Sequence, residues 1–261
     1  VLLGAVEAVD LIDEQQRPLP VLAADAGLPV LSIDSYKAET TRQALAAGEQ
    51  VIAACRDPSR AEELADLTKQ FAEQLRVEAL EVSDAASVAA LAERLKGVAV
   101  DMLINNAGYQ GPGSWNPANN FQSFGTIDYD IWRDILEVNL LGVMRVTEAL
   151  VPNVAASERK LIVMMTSDLA SIERNSMGGT HPYRTSKAAL NMLAKGLAKD
   201  LEGDGITVIA LSPGWTQTDM GGPNAHWTVE QSVTNQRRTL ASLNQADSGK
   251  FVNLEGVSLP W

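Results

Sequence analysis

The sequence predicts an α/β domain built on a parallel, doubly wound sheet. Seven short apolar runs rich in Val, Ile and Leu recur along the chain, and longer segments of helical period lie between them. No internal repeat, low-complexity stretch or Pro/Gly/Ser linker divides the chain. Strand alternating with helix requires right-handed crossovers, and those produce a parallel sheet covered on both faces. At 261 residues, with 46% hydrophobic and 21% charged side chains, one such domain can bury a large core.

In chain order, the apolar runs fall at 30–34, 50–55, 77–82, 100–105, 160–166, 206–211 and 250–252, and each is short enough to be a buried strand. "RAEELADLTKQFAEQL" (60–75) and "DAASVAALAERLKG" (84–97) place apolar residues three and four apart, as a helix with one buried face does. The first unit, "LPVLSIDSYKAETTRQALAAG" (28–48), reads as strand, tight turn and helix with no glycine in the turn. Residues 1–29 have no place in a simple sheet and are expected to form an N-terminal extension to a single domain of residues 30–261.

The formal net charge of −12 argues against nucleic acid or an anionic membrane surface as a partner, and suits an uncharged or mildly polar small substrate. Cys55 is the single cysteine, so no disulfide forms within the chain, and no Cys/His spacing suggests a metal site. There is no apolar run of the roughly 18 residues a membrane span needs, and no basic start of a secretory signal. A cytoplasmic setting is expected.

The chemistry gathers at strand ends. Tyr183 and Lys187 lie four apart in the strongly helical "THPYRTSKAALNMLAKGLAKDL" (180–201), so both emerge on one face. An ammonium beside a phenol favours the phenolate, which would lower the tyrosine pKa from about 10 toward working pH. "MLINNAGYQG" (102–111) ends a strand in two asparagines and an Ala-Gly pair, "LIVMMTSDLAS" (161–171) ends one in hydroxyl residues, and "VIALSPGWTQTDMGG" (208–222) ends one in Pro213-Gly214 followed by Thr216. Ligands of parallel sheets bind at such ends.

With these motifs in place, residues from about 44 to 261 resemble the short-chain dehydrogenase/reductase family, through Asn105 to Gly108, Tyr183 to Lys187 and Pro213-Gly214. "PYRTSKAALN", "SPGWTQTDMGG" and the terminal "SLPW" are similar to its C-factor-like branch. The resemblance implies a Rossmann-type sheet between helical layers, and hydride transfer between NADP(H) and a small carbonyl or alcohol substrate. It implies Tyr183 as general acid, Lys187 on the nicotinamide ribose, Ser167 on the substrate carbonyl and Asn139 shaping its helix. Ser167 precedes Tyr183 by more residues than is common in the family, and Ser171, nearer to it, is a rival. Cofactor contacts are implied at Arg56, Glu81, Val82, Asn105, Ala107, Gly108, Tyr183, Lys187, Pro213, Gly214 and Thr216. Arg56 stands where an acidic residue would select NAD, so a 2′-phosphate is favoured. A homodimer or homotetramer through the helices of Asn139 and Tyr183 is also implied. The loop at 109–125, with Trp115, Phe121 and Phe124, either covers the substrate site or packs back onto the domain.

One part of the family pattern is missing. Before Gly97, glycine occurs only at positions 4, 27 and 48, so no glycine-rich turn follows the first strand. Bare backbone at that turn is what lets a pyrophosphate approach a helix N-terminus. The stretch there is instead similar to a β-α fragment of dihydropteroate synthase. Weak NADP(H) binding is therefore expected, and the alternative is a catalytically inactive, chimeric or degenerate relative acting as a binding or scaffold module.

Overall fold

A computed structural model describes residues 30–33, 39–112 and 120–261. Seven parallel strands form one sheet: β1 (Val30–Ile33), β2 (Val51–Cys55), β3 (Leu75–Ala79), β4 (Met102–Asn105), β5 (Leu161–Met165), β6 (Thr207–Ser212) and β7 (Phe251–Asn253), in spatial order β3-β2-β1-β4-β5-β6-β7. The order reverses between β1 and β4, and the crevice above such a reversal is where doubly wound sheets take ligands. The expected extension 1–29, the turn at 34–38 and Trp115 lie outside the described residues.

Alternation along each strand explains the two-sided burial. Ile52, Leu103, Ile162, Met164, Val208, Ala210 and Phe251 pack into one apolar cluster. Their immediate neighbours Met102, Ile104, Leu161, Val163, Met165, Ile209, Leu211 and Val252 pack into a second cluster, and Val51, Ala53 and Cys55 into a third. Side chains of period two on a sheet buried on both faces require this division.

The first face is covered by α3 (Ala85–Arg94), α5 (Val143–Ala155) and α6 (His181–Asp200), whose Val88, Leu91, Val146, Leu150, Leu190 and Ala194 complete the large cluster. The other face carries α1 (Glu39–Ala46), α2 (Glu62–Gln70) and α7 (Val229–Ser242). Helix α4 (Tyr129–Leu136) runs through a π-helical turn, Glu137–Gly142, into α5.

All seven expected strands form, with one clear shift. The run expected at 77–82 pairs at Leu75–Ala79, because β2 offers partners from Val51 opposite Leu75 to Cys55 opposite Ala79. Leu80 adds one more bond, N–H to Cys55 O at 2.8 Å, before the chain turns toward α3. The helix expected to reach residue 75 stops at Gln70, and Phe71 O then accepts the N–H groups of Gln74 and Leu75 at 3.0 and 2.9 Å. Helix α3 begins where Asp84 caps the N–H of Ala86, as a short side-chain acceptor should.

Strand β1 lies at the centre, with Val30 opposite both Val51 and Met102. Its helix α1 is tied to α7 by Gln43, which donates to Glu230 O at 3.2 Å and accepts from Thr234 Oγ1 at 3.3 Å. Just beyond α1, Glu49 pairs with Arg237 of α7 at 2.9 Å, both largely buried. Burial pushes the Glu49 carboxyl up, against the pull of Arg237.

Candidate active site

The site is assembled on α6, the π-helical turn and the carboxyl ends of β4 and β5. Asn139, fully buried in that turn, is the central brace: its Oδ1 accepts from Tyr109 N–H at 2.7 Å, and its Nδ2 donates to Tyr109 O at 2.8 Å and to Ser186 Oγ at 2.9 Å. Ser186 in turn donates to Tyr183 O at 2.8 Å. One amide thus fixes the loop after β4 to the helix that carries Tyr183 and Lys187. A π-turn widens a helix locally and recurs at functional sites, and here it presents Asn139 to both neighbours.

Lys187 is buried, with Nζ donating to Met165 O at 2.9 Å at the end of β5 and standing 5.9 Å from the Tyr183 ring centroid. Desolvation lowers its pKa to about 8. An ammonium carries three donors, so this one bond among the described residues leaves donors for a ligand. The Ser167 side chain lies near the half-buried Tyr183. Its pKa is pushed up to about 12 by burial, which outweighs the lowering by Ser167. The expected lowering by Lys187 is therefore reversed in the isolated chain, where removal from water dominates.

The two serines face differently. Ser167 caps the 3₁₀ turn Asp168–Ala170 through Leu169 N–H at 3.2 Å, within reach of Tyr183. Ser171 is buried and donates to Trp261 O at 3.4 Å.

The expected cofactor residues divide. Gly108 faces α6 closely: an added Cβ would be in ordinary contact, 3.7 Å from Lys187 Nζ and 3.9 Å from Asn139 Oδ1, and Ala107 beside it is small and buried. Pro213 and Gly214 begin the loop after β6. Gly214 has φ +70, and a Cβ there would meet Trp227 at 2.8 Å, so only glycine suits the position. Thr216 Oγ1 bonds Pro213 O, Gly214 O and Ser232 Oγ at 3.1, 3.2 and 3.2 Å, which makes it a brace of this loop. Arg56 is exposed just past β2.

Three residues expected to contact the cofactor also carry bonds within the domain. Asn105, 2% exposed, directs its amide to Thr147 Oγ1 at 3.1 Å and Met164 Sδ at 3.5 Å, because β4 ends beneath α5. Its side chain is thus a tie within the domain. Glu81 accepts from Ser83 N and Oγ at 3.2 and 2.7 Å. Val82 is buried, its carbonyl takes a bond from Arg145 at 2.8 Å, and Gly142 approaches it so closely that a Cβ would lie 3.0 Å from it.

In the loop after β4, Phe121 packs back onto Gly111 while Phe124 is fully open to solvent. Gln110 Nε2 reaches across to Met220 O at 3.2 Å and joins this loop to the one after β6. Sequence reasoning passed over Ser186, Gln110 and Arg145. Only Ser186 had a local signal, its place one turn beyond Tyr183 on the same helix. Among the described residues no group of His, Cys, Asp and Glu could hold a metal, and no helix is long and apolar enough to cross a membrane.

The sequence pattern of the short chain dehydrogenases matches residues 37–228. The 1-hydroxy-2-glutathionyl-2-methyl-3-butene dehydrogenase of Rhodococcus sp. (strain AD45) is 34% identical over 228 residues, covering 85% of this chain and 92% of that protein. C-signal of Myxococcus xanthus is 38% identical over 162 residues, 62% of this chain and 93% of that protein. The NADPH-bound carbonyl reductase from chicken fatty liver superposes with a TM-score of 0.80 at 31% identity, covering 90% of this chain and 99% of that one. With fold, site and sequence in agreement, the chain belongs to the short-chain dehydrogenase family of oxidoreductases.

Proposed function

We propose that the protein reduces a small carbonyl compound, or oxidises the matching alcohol, with NADP(H). The juxtaposition of Tyr183 with the buried Lys187, which is tied to the end of β5 just ahead of Ser167, carries this reading. A carbonyl oxygen lying between the two hydroxyls accepts from both. Ser167 orients it, and Tyr183, protonated throughout the neutral range, gives it a proton as the alcohol forms. The nicotinamide, when bound, supplies the hydride. The remaining donors of Lys187 hold the ribose hydroxyls, with Gly108 placing no side chain beside Lys187 Nζ, and Asn139 keeps both facing elements in register. Arg56 favours the 2′-phosphate of NADP(H). NADPH oxidation with a panel of aldehydes and ketones tests the reading: turnover that disappears in Tyr183→Phe is expected, and a folded sample inert toward the whole panel would overturn it.

The residues fit the nicotinamide end better than the phosphate end. No glycine occurs between positions 27 and 48, and the family match begins only at residue 37. Glu39, in the first turn of α1, adds a carboxylate near the helix N-terminus, engaged there by Arg42 and by Gln43 at 2.8 Å. NADPH is accordingly expected to bind no more tightly than high micromolar. The same feature supports a second reading, a relative that has lost its cofactor and serves as a binding or scaffold module. Thermal shift separates the two, since a ligand at 100 times its Kd stabilises by about 2.7 kcal/mol: a clear rise with NADPH removes the second.

A homodimer or homotetramer through α4 to α6 is supported by Leu141 and Met192, which are 50% and 73% exposed on those elements. Light scattering that finds only monomer refutes it. A single cysteine suits the reducing cytoplasm.

A further inference from the structure

Trp261 ends the "SLPW" stretch and has no part in the site described above, yet it is bonded to the loop that leaves β5. Its carbonyl accepts from Ile172 N–H and Glu173 N–H, each at 3.1 Å, and from Ser171 Oγ at 3.4 Å. Its ring stacks on Phe251 of β7 with centroids 5.6 Å apart, and Lys195 Nζ stands 5.8 Å from the ring while donating to Gly249 O at 3.1 Å. The segment that delivers it is anchored as well: Ser258 bridges Val252, Leu259 N–H bonds Phe251 O at 2.8 Å, and the Leu259 side chain is buried in the core.

The ring therefore fixes Trp261 to β7 and α6, and its carbonyl holds residues 171–173. From there to Ser167 the chain makes a single 3₁₀ turn, closed by Ala170 N–H to Ser167 O at 2.9 Å and Ser171 N–H to Asp168 O at 3.2 Å. A turn bonded at both ends passes a displacement of one end to the other. Ser167, at the near end, lies near Tyr183, and α6 touches the same turn through Arg184 Nη1, which donates to Leu169 O at 3.5 Å.

We propose that Trp261 is a positioning residue, whose backbone carbonyl holds the loop after β5 so that Ser167 stays against Tyr183. The proposal rests on the role given to Ser167 above, and its test separates the two. Amide hydrogen exchange is measured on the full chain, on a deletion of residues 260–261, on Trp261→Ala and on Trp261→Phe. In the deletion, the amides of Ile172 and Glu173 lose their acceptor and are expected to exchange about tenfold faster or more, and those of Leu169 and Ala170 to accelerate with them, while β6 amides keep their protection. Trp261→Phe, which keeps a ring on Phe251, stays within about twofold of the parent at Leu169. Turnover follows: the deletion lowers kcat about tenfold while KM moves less than about threefold, and Trp261→Phe restores kcat, because Ser167 acts where charge develops on the carbonyl oxygen.

Acceleration confined to residues 172 and 173, with Leu169 unchanged, would overturn the proposal. So would a loosened Leu169 with kcat unchanged. If the deletion also unprotects β6, Trp261→Ala decides: it retains the carbonyl and loses the ring, and a faster Leu169 amide supports the proposal while an unchanged one overturns it. A parent chain that turns over no carbonyl compound counts against the proposed function, and the exchange at Leu169 still decides the role of Trp261.

Discussion

Two regions at the carboxyl end of one sheet, built by the same kind of β-α unit, differ in what they are equipped to do. At β5 and α6, Tyr183, Lys187, Ser167 and Asn139 are bound into one network of side chains and backbone carbonyls. At β1 and α1, the unit occupies the central place in the sheet and is tied to α7 by Gln43 and Glu49, but its turn has no glycine. A parallel sheet asks of a central strand only a backbone in register and apolar side chains, so many sequences serve. A phosphate cradle asks for backbone that β-carbons do not block, so few do. The contrast implies that the proposed catalytic residues and the phosphate site are separable in this chain.

The largest expected effect tests that separation. Replacing residues 1–43 with a strand, glycine-rich turn and helix of the family pattern should restore two or three charge-assisted hydrogen bonds, roughly 3 to 6 kcal/mol, or about 10² to 10⁴ in NADPH affinity. Fluorescence titration measures it, and low-micromolar binding by the chain as it stands would sink the idea. Next, Tyr183→Phe removes the proton donor and should cost about 10² to 10⁴ in kcat. Its NADPH affinity should stay within about threefold, because the ring that packs beside Lys187 is retained. A parallel fall in affinity would show that the two regions are not separable.

The structural half of the comparison rests on Glu49. Glu49→Ala leaves the Arg237 guanidinium largely buried without its carboxylate, and Arg237 Nε already has no partner among the described residues. A loss of about 3 kcal/mol is expected, a fall in Tm of roughly 6 to 12 °C for a chain of this size. An unchanged Tm would mean that α1 is only loosely docked.

Lys187 links stability to chemistry. Its folded pKa of about 8 lies below the ordinary 10.5, so between these values the unfolded chain still holds a proton the folded chain has released, and stability rises with pH across that window. Below about pH 8 the folded chain carries a buried ammonium at a cost of about 3 kcal/mol. Lys187→Met should therefore melt higher at neutral pH and turn over little or nothing. The smallest effect is on the parent chain: carbonyl reduction should fall about twofold as pH rises to about 8, where half of Lys187 has lost its proton. A flat profile to pH 10 would separate the reaction from the charge of Lys187.

The sequence by itself determined the layering of the fold and the spacing of the candidate residues on α6. Seven apolar runs can be buried only between helices, and the four-residue spacing of Tyr183 and Lys187 is a local property of a helix, so neither needed long-range information. The pairing register of β3 did need it, because the mixed apolar and charged residues from Leu75 to Val82 carry no mark of where the neighbouring strand stops. The inward turn of the Asn105 amide to Thr147, the opposite facing of Ser167 and Ser171, and the bond from Trp261 to residues far back in the chain likewise depend on which elements meet in space. So does the rise of the Tyr183 pKa, since spacing shows that an ammonium is near but not how far both groups are withdrawn from water, and here that withdrawal is the larger force.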